Sequence, residues 1–107
     1  MAAEEFVVAL TTLGTRAQAR RLVTRLVDDR LIACGTILPG AISVYRWQGK
    51  VTAEQEVVVL LKTPKACWQA LRAAVEAHHP YEVPELLALP VWAGLDRYLE
   101  WVTSETS

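Results

Sequence analysis

Apolar positions along this chain change period several times, and each change marks an element. Phe6 to Leu10 is a nearly continuous apolar run, the pattern of a central strand covered on both sides, and Gly14 breaks it. Thr15 followed by Gln18 makes a capping box. Ala19, Leu22, Val23, Leu26 and Val27 then recur at helical spacing with arginines and aspartates opposite, which predicts a helix to about Asp29 or Arg30. Leu31 to Leu38 is apolar again and ends at Pro39-Gly40, where a proline lacking an N–H marks a bulge, kink or edge. Ala41 to Trp47 resumes an extended pattern, Gln48-Gly49 supplies a two-residue turn, and Lys50 to Thr63 returns around Val57-Val58-Val59-Leu60-Leu61. Such a hairpin spans roughly 40–50 Å at about 3.3 Å per residue. Thr63-Pro64 has the form of a helix start, Trp68, Leu71 and Val75 share one face, and Pro80 stops the helix near His79. Val83 to Val91 reads as a strand fenced by Pro84 and Pro90, and Leu95, Leu99 and Val102 as a short final helix.

The order is βαββαβ plus a terminal helix, an α+β unit of ferredoxin-like type spanning residues 1–107 as one domain. Both long helices then lie on one face of a four-stranded antiparallel sheet. The strand cores read apolar on both faces, so something must cover the second face, and sister copies are the simplest cover. Burying several hundred Å² of apolar sheet contributes on the order of 10 kcal/mol at about 25 cal/mol per Å², before association costs. Composition agrees: 52% of the 107 residues are hydrophobic, more than a small monomer needs.

Charge excludes some partners. The net charge of −1 gives no basic field for nucleic acid, and Arg16, Arg20, Arg21, Arg25 and Arg30 fall along the first helix as a solvated face. No apolar run approaches the roughly 20 residues of a membrane span. Glu4 and Glu5 stand where a secretion signal needs basic and apolar residues, and Cys34 and Cys67 form no spaced framework, so a reducing cytoplasm is expected.

Several ordered motifs run the length of the chain: Ala33-Cys34, Ile37-Leu38-Pro39-Gly40, Tyr45-Arg46-Trp47-Gln48-Gly49-Lys50, Glu56-Val57, Leu61-Lys62-Thr63, His79-Pro80-Tyr81-Glu82-Val83-Pro84-Glu85 and Leu89-Pro90. Together they resemble the divalent-cation tolerance protein CutA family from about Phe6 to Val102. The resemblance implies a ferredoxin-like subunit in a compact homotrimer, similar in architecture to PII signalling proteins. It also implies a cytoplasmic protein linked to tolerance of copper and other divalent ions. In bacterial relatives copper is connected with a cysteine near the end of the first strand and a nearby histidine pair. Here the pair is His78-His79, but the first strand reads Ala9-Leu10-Thr11-Thr12 and the thiol is missing.

The metal chemistry open to such residues is weak. Thiolate suits copper(I), whereas imidazole also suits copper(II), zinc and nickel. Adjacent helical residues point about 100° apart, so His78 and His79 chelate one ion poorly, and Cys67 lies about 16 Å back along the helix. A metal role would use His78 and His79 with an oxygen ligand such as Glu82, binding copper or another divalent ion weakly, with no tightly held cofactor. A second constellation, Tyr45, Trp47, Glu56, Lys62, Tyr81, Glu82 and Trp101, has the makings of a small-metabolite cleft between subunits, or of the aromatic and ionic contacts that hold subunits together. Nothing pairs Glu56, Glu82 or His79 with an activated nucleophile, and Cys34 has no electropositive motif around it, so no enzyme is expected.

Overall fold

The computed structural model describes residues 4–107. Within them the order is β1 (Phe6–Leu13), α1 (Arg16–Asp28), β2 (Cys34–Trp47), β3 (Lys50–Pro64), one 3-10 turn (Lys65–Cys67), α2 (Trp68–His78), β4 (Leu87–Pro90) and α3 (Asp96–Glu105). The strands form one antiparallel sheet in the order β2-β3-β1-β4. This is the ferredoxin-like arrangement that the element order predicts.

Local chemistry accounts for the boundaries. Thr15 caps α1, its Oγ1 accepting from Gln18 N–H at 3.1 Å. The returning arm of the box reaches one residue further than the motif requires, because Gln18 Oε1 accepts from Gly14 N–H at 3.2 Å. The Gln48-Gly49 turn has both residues at positive φ, 50° and 81°, the combination that matches the twist of a hairpin. Pro39-Gly40 forms the bulge: Leu38 pairs with Val58 but Ala41 with Glu56. Gly40 there takes φ 89°. The molecule measures 49 × 26 × 23 Å, and β2 and β3 account for its long dimension.

Alternation sorts the sheet into two faces. Ala9 and Leu13 of β1 and Val57, Val59 and Leu61 of β3 turn toward the helices. They meet Ala19, Leu22, Val23 and Leu26 of α1 and Leu71 and Val75 of α2 in one core. Gly35 faces this core so closely that a Cβ would stand 2.6 Å from Val23 Cγ1. On the other face lie Val8 and Leu10, Val58 and Leu60, with Leu38, Leu87 and Leu89 left exposed. Here α3 covers only part. It touches β3, buries Val102, and brings Tyr98 near Cys34, where burial and that thiol push the phenol's pKa upward.

Two boundaries and one core position differ from the sequence reading. Thr63-Pro64 does not start a helix: both residues extend β3 and pair with Val7 and Phe6. The Thr63 hydroxyl donates to Leu31 O at 2.7 Å instead of capping, and α2 begins only at Trp68. The fourth strand is Leu87–Pro90, not Val83 to Val91, because only those residues find partners, Val7 to Leu10, on β1. Val27 stands 41% exposed at the rim of α1's apolar stripe, and Leu26 fills the core position.

Candidate functional site

The end of β1 and the segment after α2 meet where the hairpin leaves the body of the sheet. Pro80 ends α2, whose last residue is His78, and His79 turns back under β1. His79 is buried, and its Nδ1 accepts from Tyr81 N–H at 3.1 Å. That leaves the proton on Nε2, which donates to Thr12 O at 2.8 Å. Burial lowers the pKa of His79 below the ordinary value, against the opposing pulls of Thr12 O and the Glu56 carboxylate, so the ring is neutral at pH 7. Its ring also meets that of Tyr81 edge-on, centroids 4.7 Å apart.

Tyr81 continues the relay. Its hydroxyl donates to Glu56 Oε2 at 2.8 Å. Glu56 is a carboxylate only 9% exposed. Burial pushes its pKa up, but hydrogen bonding from Ser43, Tyr81 and Thr12 and the nearby imidazole outweigh that, and the net shift is downward. The acid is therefore ionised at neutral pH. Burial and the same carboxylate raise the Tyr81 hydroxyl's pKa, so it stays a donor.

A cleft of about 600 Å³ opens over Glu56. Tyr45 and Trp47 from β2, Tyr81 and Glu82 from the turn, and Glu54 from β3 form its walls. Glu54 lowers the acidity of Tyr45 by accepting its hydroxyl, with smaller effects from burial and the carboxylates. The residues expected in one constellation thus divide. Within one chain Tyr45, Trp47, Glu56, Tyr81 and Glu82 line one cleft, whereas the same chain's Lys62 and Trp101 lie apart from it. Lys62 sits roughly 20 Å further along β3 at about 3.3 Å per residue. Its ammonium there donates to Thr36 Oγ1 and contacts Cys34 Sγ at 3.7 Å. Trp101 belongs to α3 and lies 5.8 Å from Tyr98, centroid to centroid. Sequence reasoning misses Glu54 and Glu85. Strand alternation puts Glu54 on the face of Glu56, a signal present in the sequence, whereas Glu85 depends on the path of the turn.

His78 parts company with His79. It is exposed, and with Arg21 and Arg25 it lines a separate groove of about 180 Å³ between α1 and the end of α2. Among the described residues no three His, Cys, Asp or Glu side chains stand close enough to hold a metal ion. The first strand offers Thr11 and Thr12 where a soft ligand would be needed. With both nitrogens of His79 engaged and two guanidinium groups beside His78, these residues do not fit a tight copper or zinc centre.

Comparison with known proteins agrees with this architecture. Residues 7–105 match the family described as CutA1 divalent ion tolerance protein. The chain is 43% identical over 99 residues to the divalent-cation tolerance protein CutA of Thermus thermophilus, covering 92% of this chain and 96% of that one. It is 45% identical over 100 residues to the CutA of Citrobacter koseri, covering 94% and 87%. Among solved structures, CutA from Synechococcus elongatus superposes with a TM-score of 0.94 at 34% identity, covering 100% of this chain and 95% of that one. A protein from Archaeoglobus fulgidus described as periplasmic CutA superposes with a TM-score of 0.92 at 29% identity, covering 95% and 99%. By sequence match from end to end and by fold, the chain belongs to the CutA1 divalent ion tolerance family.

Proposed function

We propose that this chain is a non-enzymatic divalent-cation tolerance protein of the CutA type, working in the cytoplasm as a homotrimer in the response to copper and other divalent ions. The observation that carries the reading is the family match over residues 7–105, together with relatives of that name aligned over nearly their whole length. The candidate acids and bases support a structural rather than catalytic use. Glu56 and His79 are tied to Tyr81 and Thr12 in fixed hydrogen bonds.

The uncovered sheet face supports assembly. Leu38, Leu87 and Leu89 stand about half exposed beside Val8, Leu10, Val58 and Leu60. On the opposite, helix-side face of the projecting hairpin, Ile42, Val44 and Val51 are more exposed still. Apolar surface in this quantity on a small protein marks a protein interface. Two further copies, each offering the same face, bury it without any other partner.

Metal contact in this reading is weak and superficial, made by the exposed imidazole of His78, while His79 keeps its structural hydrogen bonds. The test has three readouts. Sedimentation of untagged protein gives three times the chain mass of 11.9 kDa. Copper titration gives binding that His78→Ala weakens. A host deleted for its own family member recovers growth under copper when supplied with this chain. A sedimenting monomer removes the trimer, and growth unchanged by the chain removes the tolerance role.

A further inference from the structure

The cleft over Glu56 has a chemistry that the tolerance reading does not use. Its walls are aromatic: Tyr45 and Trp47 from the hairpin and Tyr81 from the turn. Its floor is the Glu56 carboxylate, nine-tenths buried and accepting from the Tyr81 hydroxyl. Glu54, Glu82 and Glu85 stand around it, and no lysine, arginine or histidine lines it among the described residues. The ion pairs formed among the described residues are Arg25 with Asp29 and Lys65 with Glu5, so Glu56 has no cationic partner within its own chain. Hydroxyl donors hold this carboxylate ionised and fixed in place, so it presents a standing negative charge to a cation of the right shape.

The geometry narrows the cation. The carboxylates are too dispersed to surround one metal ion, since no three acidic or imidazole groups come together among the described residues. A divalent ion also gains little from aromatic walls, whereas an ammonium or guanidinium on an apolar stem uses both features. The cleft's volume of about 600 Å³ lies within the range of small-molecule sites. We propose that this cleft binds a small organic cation, a primary ammonium or guanidinium whose charge meets Glu56 and whose stem lies against Trp47 and Tyr45.

The test is calorimetry on the full-length chain with butylammonium and ethylguanidinium chlorides, using butanol and magnesium chloride as controls. The expected result is saturable binding of the organic cations, one per chain, with no saturable signal from butanol or magnesium. Glu56→Gln keeps the shape of the floor and removes its charge, and is expected to weaken binding by about tenfold or more. Trp47→Ala lies on the exposed hairpin, away from the core, and keeps the test decisive should Glu56→Gln fail to fold. It too is expected to weaken binding by about tenfold. Absence of saturable heat from either organic cation overturns the proposal, including the case in which a cationic side chain of a second copy already occupies Glu56. Unchanged affinity in Trp47→Ala, or equal binding of magnesium, does the same. No copper enters the assay, so its failure leaves the trimer mass and the copper phenotype to stand or fall separately.

Discussion

The Tyr81 hydroxyl donates to Glu56 Oε2 at 2.8 Å, and this bond fastens the segment after α2 to the root of the long hairpin. It is the last link of a relay that begins at Thr12 O on β1 and passes through both nitrogens of His79. Three parts of the chain far apart in sequence are held by three hydrogen bonds. The cleft wall is built on them.

Tyr81→Phe removes the phenol donor and leaves the ring in place. A hydrogen bond to a charged acceptor contributes about 1.5–3 kcal/mol, and partial exposure of Tyr81 to water places the expected loss toward the lower end. The loss is read as a lower urea midpoint at unchanged slope. A stability equal to wild type would show the relay to be idle.

Stability depends on pH through the same residues. His79 has its pKa depressed in the folded state, so below the ordinary imidazole value of 6.5 the unfolded chain takes up a proton that the folded chain resists. Its contribution is therefore complete above that value and falls away as pH drops beneath it. Glu56, also depressed, contributes fully above the ordinary carboxyl value of 4.5 and loses that contribution as pH falls through its lower folded value. Urea midpoints measured from neutral to acidic pH should decline in two stages, and His79→Gln should flatten the first.

Gly35→Ala tests the closeness of β2 to α1. The added carbon would meet Val23 Cγ1 at 2.6 Å and Leu61 Cδ2 at 3.3 Å, both in the core, so a shift is forced. Overpacking of this kind costs about 1–3 kcal/mol. Thermal denaturation should show the loss, and Val23→Ala added to Gly35→Ala should restore part of it relative to Val23→Ala alone.

Leu89→Lys places a charge on the exposed face of β4 without touching the core around Ala9 and Leu61. If sister copies cover this face, sedimentation should shift from the assembled mass toward that of one chain, because burying an unpaired ammonium in an interface is unfavourable. An unchanged assembly would put the interface elsewhere.

His78→Ala and His79→Ala should separate surface chemistry from structure. His79→Ala strands Thr12 O and frees the turn at Tyr81, at about 1–3 kcal/mol of stability for the buried acceptor left unpaired. His78→Ala, on an exposed ring, should leave the urea midpoint within about 0.5 kcal/mol of wild type and change only copper titration.

Features specified by neighbours along the chain are legible in the order of residues. The Thr15 cap, the Gln48-Gly49 turn and the Pro39-Gly40 bulge each depend on a few adjacent residues whose conformational preferences agree. Thr63-Pro64 carries an equally good local signal for a helix start, and the fold overrides it. Pairing with Phe6 and Val7 extends the strand through it, and a sheet ladder with a buried hydroxyl contact outweighs one cap. Within the cleft, Tyr45, Trp47, Tyr81 and Glu82 betray themselves by being aromatic or charged where turn residues are expected, and Glu56 by being a charge beside the apolar core of its strand. Lys62 joins that group only across a subunit boundary, since six residues of strand carry it about 20 Å from Glu56 in its own chain.

Element order, the apolar stripe of α1, the two-sided apolar sheet and the family all follow from the residues read in line, since these rest on periodicity and on contiguous motifs. Folding in three dimensions makes His79 a neutral strut, leaves His78 a surface ring, and renders the Glu56 cleft acidic throughout. A side chain's ionisation and partners depend on what the fold brings within about 4 Å, and those neighbours come from β1, β2, β3 and the turn after α2 rather than from adjacent residues.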